Sequence, residues 1–159
     1  MDKLLKLLDE NARLTNAQLA SMLGTSEQDV ANKIKELEKD GVIRGYKPIV
    51  NWEKAGRECV TALIELKVTP KRDLGFDEIA RTILAFDEVE SVYLMSGGYH
   101  LAVTVNGKTF QELAMFVAKR LSPLDSVLST ATHFILTRYK ERGIALNDVP
   151  TDERRFFEL

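Results

Sequence analysis

The sequence contains few of the residues that disulfides and metal sites require. Among its 159 residues there is one cysteine, Cys59, and there are two histidines, His100 and His133. A single thiol cannot form an internal disulfide framework and fits a reducing compartment. Two scattered histidines and one cysteine give no zinc-type ligand spacing. We therefore assign no metal ligand, and Cys59 is expected to be an ordinary small strand residue.

Long apolar runs and enzyme signatures are also missing. The apolar runs are too short to span a bilayer, and charge follows Met1 directly, so we expect a cytoplasmic protein without a signal peptide. There is no phosphate-binding loop, nucleophile elbow or HExxH helix. We expect no enzyme activity, no cofactor and no catalytic residue. The net charge of −2 argues against an indiscriminate nucleic-acid binder, but a local basic face remains possible.

Helical patterns fill the first part of the chain. Apolar residues at helical spacing predict a helix over residues 2–10. Thr15 and Gln18 have the spacing of a capping box, in which each side chain bonds the other residue's backbone amide. The second helix that they open ends at Gly24, because glycine tolerates the left-handed backbone of a helix end.

A third helix and a short extended segment complete this pattern. Ser26 is expected to cap the third helix, which Gly41 closes. Residues 42–50 are strand-like, with Gly45 allowing a turn, and predict a small wing. Two helices joined at a glycine, followed by a wing, predict a winged helix-turn-helix over residues 1–50.

The third helix has a polar outer face suited to reading DNA. With about 100° between successive residues, Val30, Ile34 and Leu37 mark its buried side. Amide side chains can pair with adenine in the major groove, lysine reaches guanine or phosphate, and wing residues can contact flanking phosphates. An ordinary solvated surface would have a similar composition. The predicted DNA-binding residues are Ser26, Gln28, Asn32, Lys33, Lys35, Lys39, Arg44 and Lys47.

The second half of the chain changes from helical to mixed periodicity. Residues 51–58 are polar and predict a linker, and residues 143–159 predict a polar tail. Between them the expected order is strand, helix, strand, strand, helix, strand, with a second capping box at Thr109 and Glu112. That order predicts a ferredoxin-like βαββαβ domain over residues 59–142, so the fold class is α+β. The expected elements cover residues 60–68, 76–84, 89–95, 101–105, 109–121 and 130–139.

Two stretches of the sequence resemble a known family. The stretch NARLTNAQLASMLGTSEQDVANKIKELEKDGVIRGYKPIVNWEKAG resembles the DNA-binding half of the Lrp/AsnC, or feast/famine, transcription regulators. The stretch SGGYHLAVTVNG resembles part of their ligand-sensing domain. The resemblance covers nearly the whole chain. It implies a homodimer built through the C-terminal sheet, further assembly to an octamer, and binding to palindromic operators in double-stranded DNA.

The resemblance also implies an effector such as an amino acid, bound between dimers near the loop that joins the second and third strands. The candidate effector-binding residues are Ser96, Gly97, Gly98, Tyr99 and His100. Glycine amides suit a carboxylate. The family loop reads Gly-x-aromatic-Asp, whereas His100 stands at the aspartate position and is a poor acceptor for an ammonium group. We expect either an effector other than a conventionally held α-amino acid or none. A tight hairpin turn at Gly97 and Gly98 is the alternative interpretation.

The third helix departs from the family pattern as well, and other functions stay open. The family usually places several arginines there, but Asn32 is neutral and Glu36 is acidic, so the operator sequence is not predicted. The acidic residues also fit a sensing or assembly module that has lost DNA binding. A tetrapyrrole decarboxylase with this layout would need arginines clustered near His100 and His133, and the sequence shows none there. We expect His133 to be a packed or interface residue.

Overall fold

The computed structural model describes residues 2–70 and 75–147. The chain divides into two compact units between Pro48 and Ile49. Within the described ranges, no helix has both the length and the apolar character needed to cross a membrane.

Three helices form the first unit: α1 (Asp2–Glu10), α2 (Asn16–Leu23) and α3 (Glu27–Lys39). One stripe of each helix faces a shared apolar core, because apolar residues three and four positions apart lie on the same face. The three predicted helices are confirmed. The buried core residues are Leu4, Leu8, Leu19, Ala20, Val30 and Leu37.

The ends of α2 follow the expected capping chemistry. The backbone amide of Gln18 donates to Thr15 Oγ1 at 3.2 Å, and the backbone amide of Thr15 donates to Gln18 Oε1 at 2.8 Å. Gly24 ends the helix in the left-handed region, with φ of 66°. An L side chain there would cost roughly 1–2 kcal/mol. The capping box and the glycine turn toward α3 are therefore confirmed.

The wing strand is the exception in this unit. Residues 42 and 43 form a bend, and residues 44–50 have no regular secondary structure and no strand ladder. The predicted strand is therefore wrong. The Val42 and Ile43 amides both donate to the Leu37 carbonyl and fold the segment back onto the end of α3. A strand-like composition reports only backbone preference, and a strand also needs a pairing partner.

The second unit is an antiparallel sheet with helices on one face. Its four strands pair in the order β2-β3-β1-β4, and β5 pairs with β6 in a separate hairpin. This arrangement confirms the ferredoxin-like βαββαβ order. The elements are β1 (Val60–Val68), α4 (Asp77–Leu84), β2 (Val89–Leu94), β3 (Leu101–Gly107), α5 (Phe110–Phe116), a π-helical turn (Val117–Leu121), β4 (Val127–Ile135), β5 (Lys140–Glu141) and β6 (Ile144–Ala145).

Alternate residues of the central strands build the core of this unit. Ile64 and Leu66 of β1 and Val103 of β3 are fully buried between the sheet and the helices. Leu113 and Leu121 reach the same core from α5 and the π-helical turn. The intervening strand residues point to the opposite face, because side chains alternate along a strand.

The predicted boundaries of the second unit need three corrections. Residues 51–58 are not a free linker, because Asn51 Nδ2 donates to the Leu146 carbonyl at 2.8 Å and internal turn bonds fold the segment. The last strand of the sheet ends at Ile135 rather than at residue 139. Residues 143–145 belong to the β5–β6 hairpin rather than to a tail, and residues 148–159 lie outside the described residues. Polar composition signals solvent exposure, and it does not exclude hydrogen-bonded turns.

At the start of α5, one of the two hydrogen bonds of the predicted capping box forms as expected. Thr109 Oγ1 accepts from the Glu112 amide at 3.0 Å, as expected. The Glu112 carboxylate bonds the Lys108 amide at 2.6 Å, so its partner lies one residue before the helix cap. The cap is confirmed and its reciprocal bond is displaced by one residue.

Gly107 provides a test of the packing at this helix start. A Cβ at residue 107 would lie 2.7 Å from Leu113 Cδ2 and 3.0 Å from Leu113 Cγ, and Leu113 is fully buried. We expect Gly107→Ala to lower the free energy of unfolding by about 1–3 kcal/mol, as overpacking does. Gly98→Ala is the matched control, because Gly98 has open space around its Cβ position. Urea denaturation followed by circular dichroism checks both, and equal stabilities would contradict the packing argument.

Candidate nucleic-acid interface and ligand loop

The start of α3 is fixed by hydroxyl groups. Ser26 Oγ accepts from the Asp29 amide at 3.1 Å and donates to Asp29 Oδ2 at 2.6 Å, and Thr25 Oγ1 donates to the same oxygen at 3.3 Å. The Ser26 hydroxyl, with a smaller contribution from Thr25, holds the pKa of the Asp29 carboxyl below its ordinary value of 3.8. Ser26, predicted as a DNA contact, therefore uses its side chain to cap the helix.

The outer face of α3 brings four predicted residues together, and we call Gln28, Asn32, Lys35 and Lys39 the reading face. All four are exposed. Gln28 Nε2 donates to Asn32 Oδ1 at 3.0 Å, which leaves the Gln28 oxygen and the Asn32 amide hydrogens for another partner. One acceptor beside one donor matches the N6 and N7 edge of adenine. Within the described part of the chain, Lys35 and Lys39 have no bonded partner.

Lys33 lies apart from the reading face. Its Nζ is 2.6 Å from Glu36 Oε2, and both side chains are partly exposed. An exposed pair of this kind contributes at most about 1 kcal/mol, so it can open at little cost. The structure therefore places Lys33 on the flank of the helix, where it neutralises the acidic residue that departs from the family pattern.

The segment after α3 is held to it by a tyrosine that the sequence did not single out. Tyr46 Oη donates to Glu38 Oε1 at 3.0 Å. Partial burial, followed by the hydrogen bond to Glu38 and its charge, raises the pKa of Tyr46 above 10.0. Arg44 and Lys47 in the same segment are exposed. A lone aromatic residue in a stretch without periodicity gave no signal of this contact.

The loop between β2 and β3 contains all five candidate effector residues. The Met95 amide donates to the His100 carbonyl at 2.8 Å and closes the loop. Neither Gly97 nor Gly98 has a left-handed φ, and a Cβ at either would meet nothing within 4 Å. The β2–β3 ladder closes at Met95 and His100, so residues 96–99 form a four-residue hairpin loop, and a purely structural role of the glycine pair stays the alternative interpretation.

The backbone of this loop is open to a ligand. Residues 96–98 are exposed, and Tyr99 and His100 are half-buried. Among the described residues, the amides of residues 96–99 make no hydrogen bond. Exposed amides that make no hydrogen bond within the described chain are available to a ligand or to solvent.

His100 is fixed at the base of the loop by β1. Its amide donates to the Leu66 carbonyl at 2.9 Å, and its Nδ1 accepts from the Val68 amide at 3.1 Å. Its ring stacks on Phe76, with the ring centroids 5.3 Å apart and an interplanar angle of 26°. Because Nδ1 accepts a hydrogen, the neutral ring carries its proton on Nε2.

The sheet face opposite the helices, here called the uncovered sheet face, carries the exposed apolar side chains of Tyr93 and Ile135, whereas Ala102 and Thr61 on it are buried. Tyr93 lies beside Ala102, and Ile135 lies beside Thr61, all pointing away from the core. His133 on the same face is 56% exposed, with Nε2 3.5 Å from Glu65 Oε1. His133 is therefore not packed within the chain, and an interface role stays a prediction.

A capped helix-turn-helix with an exposed reading face, joined to an α+β unit with an open loop, defines a helix-turn-helix transcription regulator with a ligand-binding domain. Two family models agree with this class. Residues 3–44 match the winged helix-turn-helix DNA-binding model, and residues 61–145 match the Lrp/AsnC ligand binding domain. The chain belongs to the Lrp/AsnC family of DNA-binding transcription regulators.

Individual relatives agree over nearly the full length. An uncharacterised HTH-type transcriptional regulator of Bacillus subtilis, YugG, is 48% identical over 153 residues, covering 96% of this chain and 92% of its own. The structure of E. coli AsnC has a TM-score of 0.67 at 23% identity, covering 89% of this chain and 93% of that chain. The transcriptional regulator NMB0573 of Neisseria meningitidis, solved as an L-Met complex, has a TM-score of 0.70 at 24% identity, covering 87% and 89%.

The Ser26 cap gives a pH-dependent prediction. We expect Ser26→Ala to lower the free energy of unfolding by about 0.5–2 kcal/mol at neutral pH. The folded pKa of Asp29 is depressed, so its bonded carboxylate stabilises the fold above 3.8 and loses that contribution as the pH falls through the lower folded value. The difference from wild type should therefore shrink below pH 3.8. Urea titrations at several pH values measure it, with Ser21→Ala on exposed helix surface as control. A difference that stays constant on acidification would contradict this account.

Proposed function

We propose that this chain regulates transcription by placing the reading face of α3 in the major groove of an operator. The observation that carries the proposal is the reading face itself, which has hydrogen-bonding amides flanked by two lysines that have no bonded partner among the described residues. The proposed DNA-binding residues are those predicted from the sequence, with Ser26 as the helix cap and Lys33 as a flanking charge. Few lysines on the face imply few neutralised phosphates and a modest salt dependence of binding.

The main alternative, an assembly module without DNA binding, rested on the acidic residues around the reading face. Three of the acidic residues on α3 are bonded within the first unit: Asp29 to Ser26, Glu36 to Lys33 and Glu38 to Tyr46. The Lys33 ammonium neutralises the charge of Glu36 before DNA approaches, which favours the DNA-binding proposal. The tetrapyrrole decarboxylase alternative gains no support from His133, because the neighbouring Glu65 carboxylate would repel the substrate's carboxylates.

The reading face is tested by the double variant Asn32→Ala with Lys35→Ala. Losing the paired amide and one phosphate or guanine contact should weaken operator binding about ten-fold or more. Removing Lys35 alone should also reduce the slope of log affinity against log salt by about 1 if it contacts a phosphate. Operator fragments are first selected from genomic DNA with purified wild-type protein, and affinities are then measured by fluorescence anisotropy.

Lys119→Ala is the matched control, because it removes an exposed lysine from the second unit without touching α3. It should bind the selected operator like wild type. Unchanged affinity in the double variant would refute the reading face. No enrichment of promoter fragments by the wild-type protein would favour the assembly module.

We also propose that the chain forms a dimer through the uncovered sheet face, as the family resemblance implies. A dimer would present two reading faces to successive major grooves about one helical turn apart. Exposed apolar residues on a sheet face support the proposal, since a soluble chain gains by burying them. Assembly beyond a dimer, as far as an octamer, remains an expectation from the family.

The dimer proposal predicts the effect of one surface charge. Tyr93 is 59% exposed in the single chain, so Tyr93→Lys should leave the monomer fold intact and place a charge at the proposed interface. We expect light scattering to show a dimer or larger assembly for wild type and a shift toward monomer for the variant. Leu84→Lys is the control, since Leu84 is equally exposed but lies on α4. A variant that stays fully dimeric would place the interface elsewhere.

The loop of residues 96–100 is the proposed effector site. Its exposed amides and open glycines support this assignment, and the L-Met complex of the Neisseria protein supports a small-molecule ligand for this chain. Such an effector changes DNA binding only if it binds one assembly or conformation more tightly than another.

A further inference from the structure

His100 has one ring nitrogen that is bonded within the chain and one that is not. Its Nδ1 accepts from the Val68 amide, so Nδ1 offers neither a lone pair nor a proton. Stacking on Phe76 holds the ring in that orientation. The other ring nitrogen, Nε2, carries the hydrogen and has no hydrogen-bond partner among the described residues. A neutral imidazole in this state is a donor toward the ligand.

The rest of the loop also offers donors. The amides of residues 96–99 are unbonded among the described residues, and the glycines at 97 and 98 let a ligand approach the backbone closely. Consecutive Cα atoms are about 3.8 Å apart. A carboxylate on these amides would lie beside residue 100 in the chain, so we take residue 100 as the neighbour of the ligand's next carbon and of its substituent.

We propose that the effector is a 2-oxo acid, whose carboxylate binds the loop amides and whose keto oxygen accepts from His100 Nε2–H. A keto oxygen has lone pairs and no hydrogen, so it complements a donor. The ammonium group of an α-amino acid has only donors and would face Nε2–H donor to donor. The inference rests on the proposed effector site and adds the chemical class of its ligand.

Matched pairs of acids test this inference on the full-length protein. Pyruvate is compared with alanine, 2-oxoglutarate with glutamate, and 4-methyl-2-oxopentanoate with leucine, each by isothermal titration calorimetry. The members of a pair share a side chain and differ at the 2-position. We expect at least one 2-oxo acid to bind, and to bind about ten-fold or more tighter than its amino-acid partner, because sites built around a hydrogen bond reject ligands that cannot form it.

Two nearly isosteric variants separate donor from acceptor at residue 100. An oxygen of either Asp or Asn can accept from the Val68 amide, as Nδ1 does. The second carboxylate oxygen in His100→Asp is an acceptor, so this variant should shift preference toward the amino acid. The second atom in His100→Asn is an amide donor, so this variant should keep the preference for the 2-oxo acid. Thermal melts establish that both variants fold.

The outcomes of these experiments test the 2-oxo acid proposal separately from the proposed DNA-binding function. Wild-type protein that binds an amino acid as tightly as its 2-oxo partner, or that binds no member of any pair, would overturn the inference. Identical preferences in the Asp and Asn variants would overturn the role of Nε2–H. Selection of operator DNA is run on the same preparations. Promoter enrichment without a preference for 2-oxo acids would support the DNA-binding proposal and contradict the 2-oxo acid proposal. A preference for 2-oxo acids without promoter enrichment would contradict only the DNA-binding proposal.

Discussion

The pairing of β1 with both β3 and β4 is the constraint on which the second unit depends. β1 is one of the two inner strands, and Ile64 and Leu66 on its inner face are fully buried beneath the helices. The register shift between Lys67 and Val68 ends the regular ladder with β4. Just there, the Val68 amide bonds the His100 imidazole instead of a strand carbonyl. The strand that organises the core therefore also fixes the base of the ligand loop.

The first unit depends on helix ends more than on core size. Its three short helices would be marginal as isolated peptides, because nucleating a helix is costly. The Thr15 capping box, the left-handed Gly24 and the Ser26 cap determine where α2 stops and α3 starts. Their spacing aligns α3 so that Val30 and Leu37 face the core. The reading face points outward because the opposite side of the same helix is buried.

Sequence reasoning was accurate where a period or a cap carries the signal. The helices, the first capping box and the order of the ferredoxin-like strands follow from spacing alone. It failed where structure depends on contacts between distant residues. The Asn51–Leu146 bond ties the supposed linker to the β5–β6 hairpin, across many intervening residues. The state of His100 depends on Val68 and Phe76, which no local pattern connects to it. The reading face was predictable as a helix surface, but the ion pair of Glu36 with Lys33 and the Tyr46 bond to Glu38 required side-chain geometry.

The loop and the uncovered sheet face share one strand, which suggests how a ligand could act on assembly. Leu66 and Val68 bond His100, while Glu65 and Lys67 alternate with them and point to the opposite face. A ligand on Nε2–H would contact the same ring that accepts from the Val68 amide. The free energy available for coupling is limited to the ligand's differential affinity for two states of the assembly. If the uncovered face is the dimer interface, β1 contributes residues both to the base of the ligand loop and to the surface through which two chains meet.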